Sequence, residues 1–232
     1  MLEIIALTPE EARIAESAGA GRIELVSALA EGGLTPGFDL MQRTVAAVRI
    51  PVNAMIRPHS RGFHYSLADL DVMKAAIRAA RTAGANGVVL GVLDGDGAVH
   101  ATHLEELLAC VGELEVTFHR AIDEARDPVA AAEALSHYPA IRSILTSGGH
   151  GRIEDNTITL ARMREVAGPI RLMAGGGLTL ENTARIIRGT AFLDYHYGTA
   201  VRTGGTVAGE LEPERLGELI RILEASGRRA VD

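Results

Sequence analysis

Eight short apolar segments recur along the chain, and this recurrence constrains the fold more than any other feature of the sequence. The segments begin near residues 2, 22, 52, 86, 115, 142, 170 and 192, at intervals that each hold one strand and one helix. Alternating βα units predict parallel strands with helices packed against them. Eight such units predict an α/β fold, a single (β/α)8 TIM barrel.

The length favours one domain over residues 1–232. Barrels of this kind contain about 250 residues, and no Pro- or Ser-rich linker or charge run divides the sequence. Hydrophobic residues make up 47% of the chain, which is enough for a large core, while Trp is absent. Ala, Val, Ile and Leu must therefore provide most of the packing.

Charge and hydropathy exclude several classes of function. A net charge of −7 argues against nucleic acid or an acidic membrane surface as the main partner. No apolar run approaches the ~18 residues that suggest a membrane span, and the first residues enter a strand directly, so we expect neither a membrane segment nor a signal peptide. The single Cys110 cannot form an internal disulfide. Together these features predict a cytoplasmic protein.

The alternation of side chains along each strand predicts which residues face the barrel interior. In the second strand Ile23 and Leu25 suit the helix layer, which turns Glu24 and Val26 inward. The same parity places further polar residues inside the barrel, namely Glu3, Asn53, Arg57, Thr117, His119, Asp194 and His196. Inward positions are normally branched and apolar, and barrel enzymes place ligand contacts at strand C-terminal ends. Polar residues there predict a functional site.

Roles can be assigned to these polar residues by their chemistry. The candidates for proton transfer are Glu24, His119, Asp123 and His196. Glu3, Arg57 and Arg120 are candidates for ligand binding, because a guanidinium can hold an anion through two hydrogen bonds. The alternative is an internal salt-bridge cluster in which Arg57 and Arg120 neutralise Glu3 and Glu24, since a buried charge needs a partner with or without a ligand.

Glycine-rich corners follow the sixth, seventh and eighth predicted strands. Backbone N–H groups at such corners, with a helix N-terminus behind them, can bind an anion, and barrels commonly hold phosphate after strands 7 and 8. We therefore expect a small anionic ligand to contact the corner residues Ser147, Gly148, Gly149, Gly175, Gly176, Gly177, Gly198 and Thr199. The alternative is that these glycines serve tight turns only.

The residues alone do not decide whether the protein binds a metal. His100 with His103, and His59 with His64, have spacings that can bind Zn²⁺ or Cu²⁺, but both pairs lie in polar loop segments that favour a solvated surface. Soft donors for Cu(I) are few, because Cys110 is predicted in the fourth helix and two inward methionines favour core filling. Those methionines are Met55 and Met173.

Six sequence blocks, in order along the chain, resemble the CutC family, which is named for copper homeostasis. The blocks are Arg22–Leu25, Glu31–Pro36, Val52–Pro58, Val116–Ala121, Ile144–Gly149 and Met173–Gly177. The resemblance implies a TIM barrel, a cytoplasmic location, a homo-oligomer and a role in copper handling. It also implies shared positions at Glu24, Arg57, His119, Arg120 and Asp123.

The chain departs from the family pattern at three places. Many members carry Cys after the Ile-Glu-Leu segment, as a proposed copper ligand, and here that position is Val26. The loop Arg57–Phe63 lacks the acidic residue of the family pattern, and after the eighth strand His196 is kept while the following residues are shifted. These differences leave the fold unaffected and argue against a thiol-based copper site.

Two functions are therefore carried forward. The first is a copper-homeostasis protein that binds or delivers copper, with direct Cu(I) binding weakened by Val26. The second is a TIM-barrel enzyme that acts on a small phosphorylated or carboxylated metabolite by acid/base chemistry at the barrel mouth.

Overall fold

Eight parallel strands close into a barrel in chain order, with β8 paired to β1, in the computed structural model. The structure describes residues 1–190, 192 and 194–227. The strands are β1 (Leu2–Ala6), β2 (Arg22–Leu25), β3 (Val52–Met55), β4 (Gly87–Leu90), β5 (Glu115–Phe118), β6 (Ile141–Thr146), β7 (Arg171–Ala174) and β8 (Asp194–Tyr197). The predicted (β/α)8 TIM barrel is confirmed, and the strands begin at or beside the predicted positions.

One α-helix follows each strand and packs outside the barrel. The helices are α1 (Pro9–Ala18), α2 (Phe38–Ala47), α3 (Leu67–Thr82), α4 (Ala101–Leu108), α5 (Pro128–Leu135), α6 (Thr157–Val166), α7 (Leu180–Thr190) and α8 (Pro213–Ala225). None of the helices in the described ranges is both long and apolar enough to span a bilayer.

Local capping explains where several helices begin and end. Ser66 accepts a hydrogen bond from the Asp69 N–H, and the Asp69 carboxylate accepts one from the Ser66 N–H, which forms a complete capping box at the start of α3. Helix α1 ends where Gly19 adopts a φ of 103°, a conformation that glycine tolerates because it lacks a Cβ.

The outward side chains of the strands form the main core against the helices, as parity predicted. Leu2, Ile4, Ile23 and Leu25 are fully buried in this layer. The inside of the barrel holds a much smaller apolar cluster, formed by Ile5, Val26, Met55 and Val89. The barrel interior therefore contains buried polar groups beside a few apolar ones, and these polar groups position the candidate site.

Candidate functional site

His196 lies between two buried carboxylates at the β8, β1 and β2 side of the barrel. Strand pairing places Glu3 directly beside His196, and the His196 Nδ1 lies 2.7 Å from a Glu3 carboxylate oxygen. The His196 Nε2 lies 3.8 Å from the Oε2 of Glu24. The other Glu3 oxygen accepts a hydrogen bond from the Nε of Arg22. Glu3 is therefore occupied by two partners and orients the imidazole toward Glu24.

The charges of this cluster follow from burial and from these contacts. Burial raises the pKa of Glu3, but Arg22 and His196 outweigh it and hold the pKa at about 2. Burial also raises the pKa of Glu24, and here it dominates, so that the pKa is about 7. Burial lowers the pKa of His196, yet Glu24 and Glu3 reverse this and raise it. Glu24 thus titrates near neutral pH beside a histidine whose pKa is raised, whereas Glu3 stays ionised.

Glu24 also has a carboxylate oxygen without a partner. Its Oε1 is buried and receives no hydrogen bond. One ligand atom from each of Glu3, Glu24 and His196 can be chosen so that all three lie within 4.8 Å of one another, and no other such group was found in the described part of the chain. Buried polar atoms are usually satisfied, so the unpartnered oxygen marks a place where a ligand can bind.

The two arginines of the predicted salt-bridge cluster contact other groups. Arg57 donates from Nη1 to the Glu31 carbonyl at 3.1 Å, and its guanidinium lies 4.9 Å from the Phe63 ring centre. Arg120 donates from Nε to Asp123 at 2.9 Å. The prediction that they neutralise Glu3 and Glu24 is wrong. Arg22 is the partner of Glu3. It lies two residues before Glu24 on β2 and therefore faces the barrel interior as Glu24 does.

Asp123 is saturated with hydrogen bonds from the β6 corner. Its carboxylate accepts from the Ser147 N–H at 3.0 Å, the Ser147 hydroxyl at 2.7 Å, the Thr146 hydroxyl at 2.6 Å and the Gly149 N–H at 3.3 Å. A carboxylate held in this way is poorly suited to proton transfer, which argues against its predicted catalytic role. Asp123 instead holds the corner in place.

The same contacts argue against the prediction that this corner binds an anionic ligand through free N–H groups. The N–H groups of Ser147 and Gly149 bind Asp123, and the Gly148 N–H donates to the Thr146 hydroxyl at 2.8 Å. The anion bound by this corner is therefore a side chain of the same protein. At the next corner the Gly175 N–H donates to the Thr146 carbonyl at 3.0 Å, so it is also engaged.

A cavity of about 520 Å³ opens at the C-terminal ends of the strands. Gly176 lies under the Arg120 guanidinium, where a Cβ would overlap it. The cavity brings together most of the predicted site residues, namely Glu24, Arg57, His119, Arg120, Asp123, Gly149, Gly176, Gly177, His196, Gly198 and Thr199. The predicted residues that do not line it are Glu3, Ser147, Gly148 and Gly175.

Sequence reasoning missed two residues, of which only Phe63 lines the cavity. Phe63 lines the cavity between Arg57 and His119, with its ring centre 4.9 Å from the His119 ring centre. Arg202 is fully buried and binds the Glu11 carboxylate through two nitrogens, at 2.8 and 2.7 Å. Neither has a local sequence signal, because both lie in connecting segments where alternation does not apply.

The soft donors lie apart from one another. Cys110 was predicted in the fourth helix but follows the end of α4, where its thiol lies 3.6 Å from the Glu106 carbonyl oxygen. Met55 packs in the inner apolar cluster, and the Met173 sulfur accepts from Arg22 at 3.6 Å. The rings of His100 and His103 stack on each other, with centres 3.6 Å apart. This donor set fits Cu(I) poorly.

Comparison with known proteins supports the family resemblance. The model of the CutC family matches residues 1–201. The chain belongs to the CutC family. It is 41% identical over 197 residues to a human relative named copper homeostasis protein cutC homolog, covering 84% of this chain and 72% of the relative. A CutC family protein of Vibrio campbellii is 41% identical over 199 residues, covering 84% of this chain and 80% of that protein.

A solved CutC structure shares the fold. The copper homeostasis protein CutC from Streptococcus agalactiae superposes with a TM-score of 0.79 at 28% identity, covering 86% of this chain and 98% of that one. The two CutC proteins therefore share this barrel.

Proposed function

We propose that this CutC family protein acts in copper homeostasis by binding Cu(II) between Glu24 and His196 at the barrel mouth. The observation that carries the proposal is the buried, unpartnered Oε1 of Glu24, in a carboxylate whose other oxygen lies 3.8 Å from the Nε2 of His196. The name of its relatives supports copper as the cargo.

The surroundings of His196 favour a metal ligand. Metal-binding histidines almost always donate their second ring N–H to a carboxylate or carbonyl, and Glu3 is in place to accept from Nδ1 at 2.7 Å. This leaves Nε2 for the ion. Imidazole and carboxylate ligands suit divalent copper and zinc, and among divalent first-row ions copper binds such sites most tightly. Arg22 compensates the charge of Glu3, so Glu24 supplies the negative charge that faces the ion.

The first prediction concerns Glu24→Gln. We expect this variant to bind Cu(II) at least about tenfold more weakly, because even residues that only orient a metal ligand contribute 10- to 100-fold. Titration calorimetry measures the affinity, and electron paramagnetic resonance reports nitrogen ligation by His196. Glu31→Gln is the matched control, since Glu31 lines the same mouth outside the cluster. Equal Cu(II) affinity in Glu24→Gln and the wild type would refute the site.

The affinity for Cu(II) should also depend on pH. The pKa of Glu24 is about 7, so below that pH the ion must displace a proton from the carboxyl group. The Nε2 of His196, whose pKa is raised, must also lose its proton before it binds the ion, so we expect binding to strengthen as the pH rises through 7. A Cu(II) affinity that is constant from pH 5.5 to 8 contradicts Glu24 as a ligand.

The second prediction is that Cu(I) is not retained. The chain has one cysteine, on the outside of the barrel, and the thiolate proposed for other members is Val26 here. Without a thiolate, Cu(I) should pass completely to a strong Cu(I) chelator such as bathocuproine disulfonate. Cys110→Ser should behave as the wild type does. Retention of one Cu(I) per chain, lost in Cys110→Ser, would show that the soft-donor site was overlooked.

A further inference from the structure

Two buried nitrogen atoms at the ends of β3 and β5 have no hydrogen-bond partner. They are the Nε of Arg57 and the Nε2 of His119. Both residues line the cavity, and they are only 9% and 3% exposed. Leaving a buried polar group unpaired destabilises the folded protein. Two such groups on residues that line one cavity indicate a ligand that pairs with both.

The contacts of His119 determine which kind of group its Nε2 is. Its Nδ1 accepts a hydrogen bond from the Ala121 N–H at 3.2 Å, so Nδ1 carries no proton. Burial and the nearby Arg57 lower the pKa of His119 to about 3, so the ring is neutral at physiological pH. A neutral imidazole has one proton, which must then be on Nε2. The unpartnered atom of His119 is therefore an N–H donor.

Arg57 presents a second donor beside it. The guanidinium is held by the Glu31 carbonyl at 3.1 Å and by the face of Phe63, whose ring also contacts His119. Gly32 makes room for it, since a Cβ there would lie 2.9 Å from Nη1. In the described part of the chain no carboxylate forms an ion pair with Arg57, so its charge faces the cavity uncompensated.

We infer that Arg57 and His119 bind an oxyanion, the carboxylate or phosphate group of a small molecule. Two N–H donors, one of them charged, pair with an anionic oxygen better than with any neutral acceptor. The half-exposed Arg120 lines the same mouth, with its Nε paired to Asp123. The cavity of about 520 Å³ has the size of a small-molecule site. This inference does not depend on copper binding at Glu24 and His196.

Titration of the full chain with inorganic phosphate and with malonate tests the inference. We expect His119→Asn and Arg57→Lys each to weaken binding at least about tenfold, because a hydrogen bond to a charged group is worth 1.5–3 kcal/mol. The Asn side chain can still accept from the Ala121 N–H, and Lys keeps the charge but lacks Nε. Matched controls are His64→Asn and Arg61→Lys, whose side chains are exposed in the loop after β3. Both should bind as the wild type does.

Nitrogen-15 spectra of the wild-type histidines provide a readout that needs no variant. The His119 Nε2 resonance should move when the anion binds, with Nε2 remaining protonated. A response to phosphate alone identifies a phosphorylated ligand, and a response to malonate alone identifies a carboxylate. An unmoved resonance with both anions overturns the inference, as do variants that keep their melting temperature and bind normally. Glu24→Gln should retain anion binding, which separates this result from failure of the copper proposal.

Discussion

Asp123→Ala is expected to lower the free energy of unfolding by several kcal/mol. The variant removes the acceptor for the Ser147 N–H, the Gly149 N–H and the Thr146 hydroxyl, all of which are buried. Each stranded buried donor costs roughly 1–3 kcal/mol, although a hydroxyl can turn to another acceptor. Arg120 also loses the carboxylate that binds its Nε. Urea unfolding followed by far-ultraviolet circular dichroism measures the loss.

Asp127→Ala is the matched control for this measurement. Asp127 is also an acidic residue that accepts two backbone hydrogen bonds, from Val129 and Ala130, but these lie at the exposed start of α5. Loss of such a helix cap costs about 1 kcal/mol. A destabilisation by Asp123→Ala no larger than that of Asp127→Ala would mean that the β6 corner is not held by this carboxylate.

Arg22→Met is expected to have an effect of similar size for a different reason. It leaves the fully buried Glu3 carboxylate with His196 as its remaining ionic partner. Breaking a buried ion pair by removing one member typically costs 3–5 kcal/mol, because an uncompensated charge stays inside. Chemical unfolding at pH 7 measures the change. Arg171→Met is the control, since Arg171 is half-exposed and its partner Asp194 also binds the N-terminal amino group.

The pH dependence of this pair has a defined sign. The pKa of Glu3 is about 2 in the folded protein, below its ordinary value of 4.5. The unfolded chain therefore takes up a proton first, and the stabilisation from Glu3 is present above about pH 4.5 and is lost as the pH falls toward 2. Without Arg22 the pKa of Glu3 in the folded protein rises toward its ordinary value. The variant therefore loses less stability than the wild type as the pH falls. The difference in stability between Arg22→Met and the wild type should then narrow with acidification, and a constant difference would contradict the pairing.

Strand alternation predicted three polar residues that line the cavity. Glu24, His119 and His196 reach the cavity because the two-residue period of a strand and the closure of a barrel leave only one inward direction. The apolar residues between them point into the helix layer for the same reason. Both outcomes follow from local strand geometry and from the order of apolar and polar residues along each strand.

The partners of those residues were decided only by the tertiary structure. His196 meets Glu3 across 193 positions because β8 closes on β1 in one particular register, and a shift of that register would change the pair. Asp123 was predicted as a candidate for proton transfer, yet the chain folds the β6 corner around it and uses its charge internally. Alternation along a strand determines which way a side chain points. Which group it meets there depends on register, on loop paths and on hydrogen-bond competition between segments far apart in the chain, and no local pattern in the sequence encodes these.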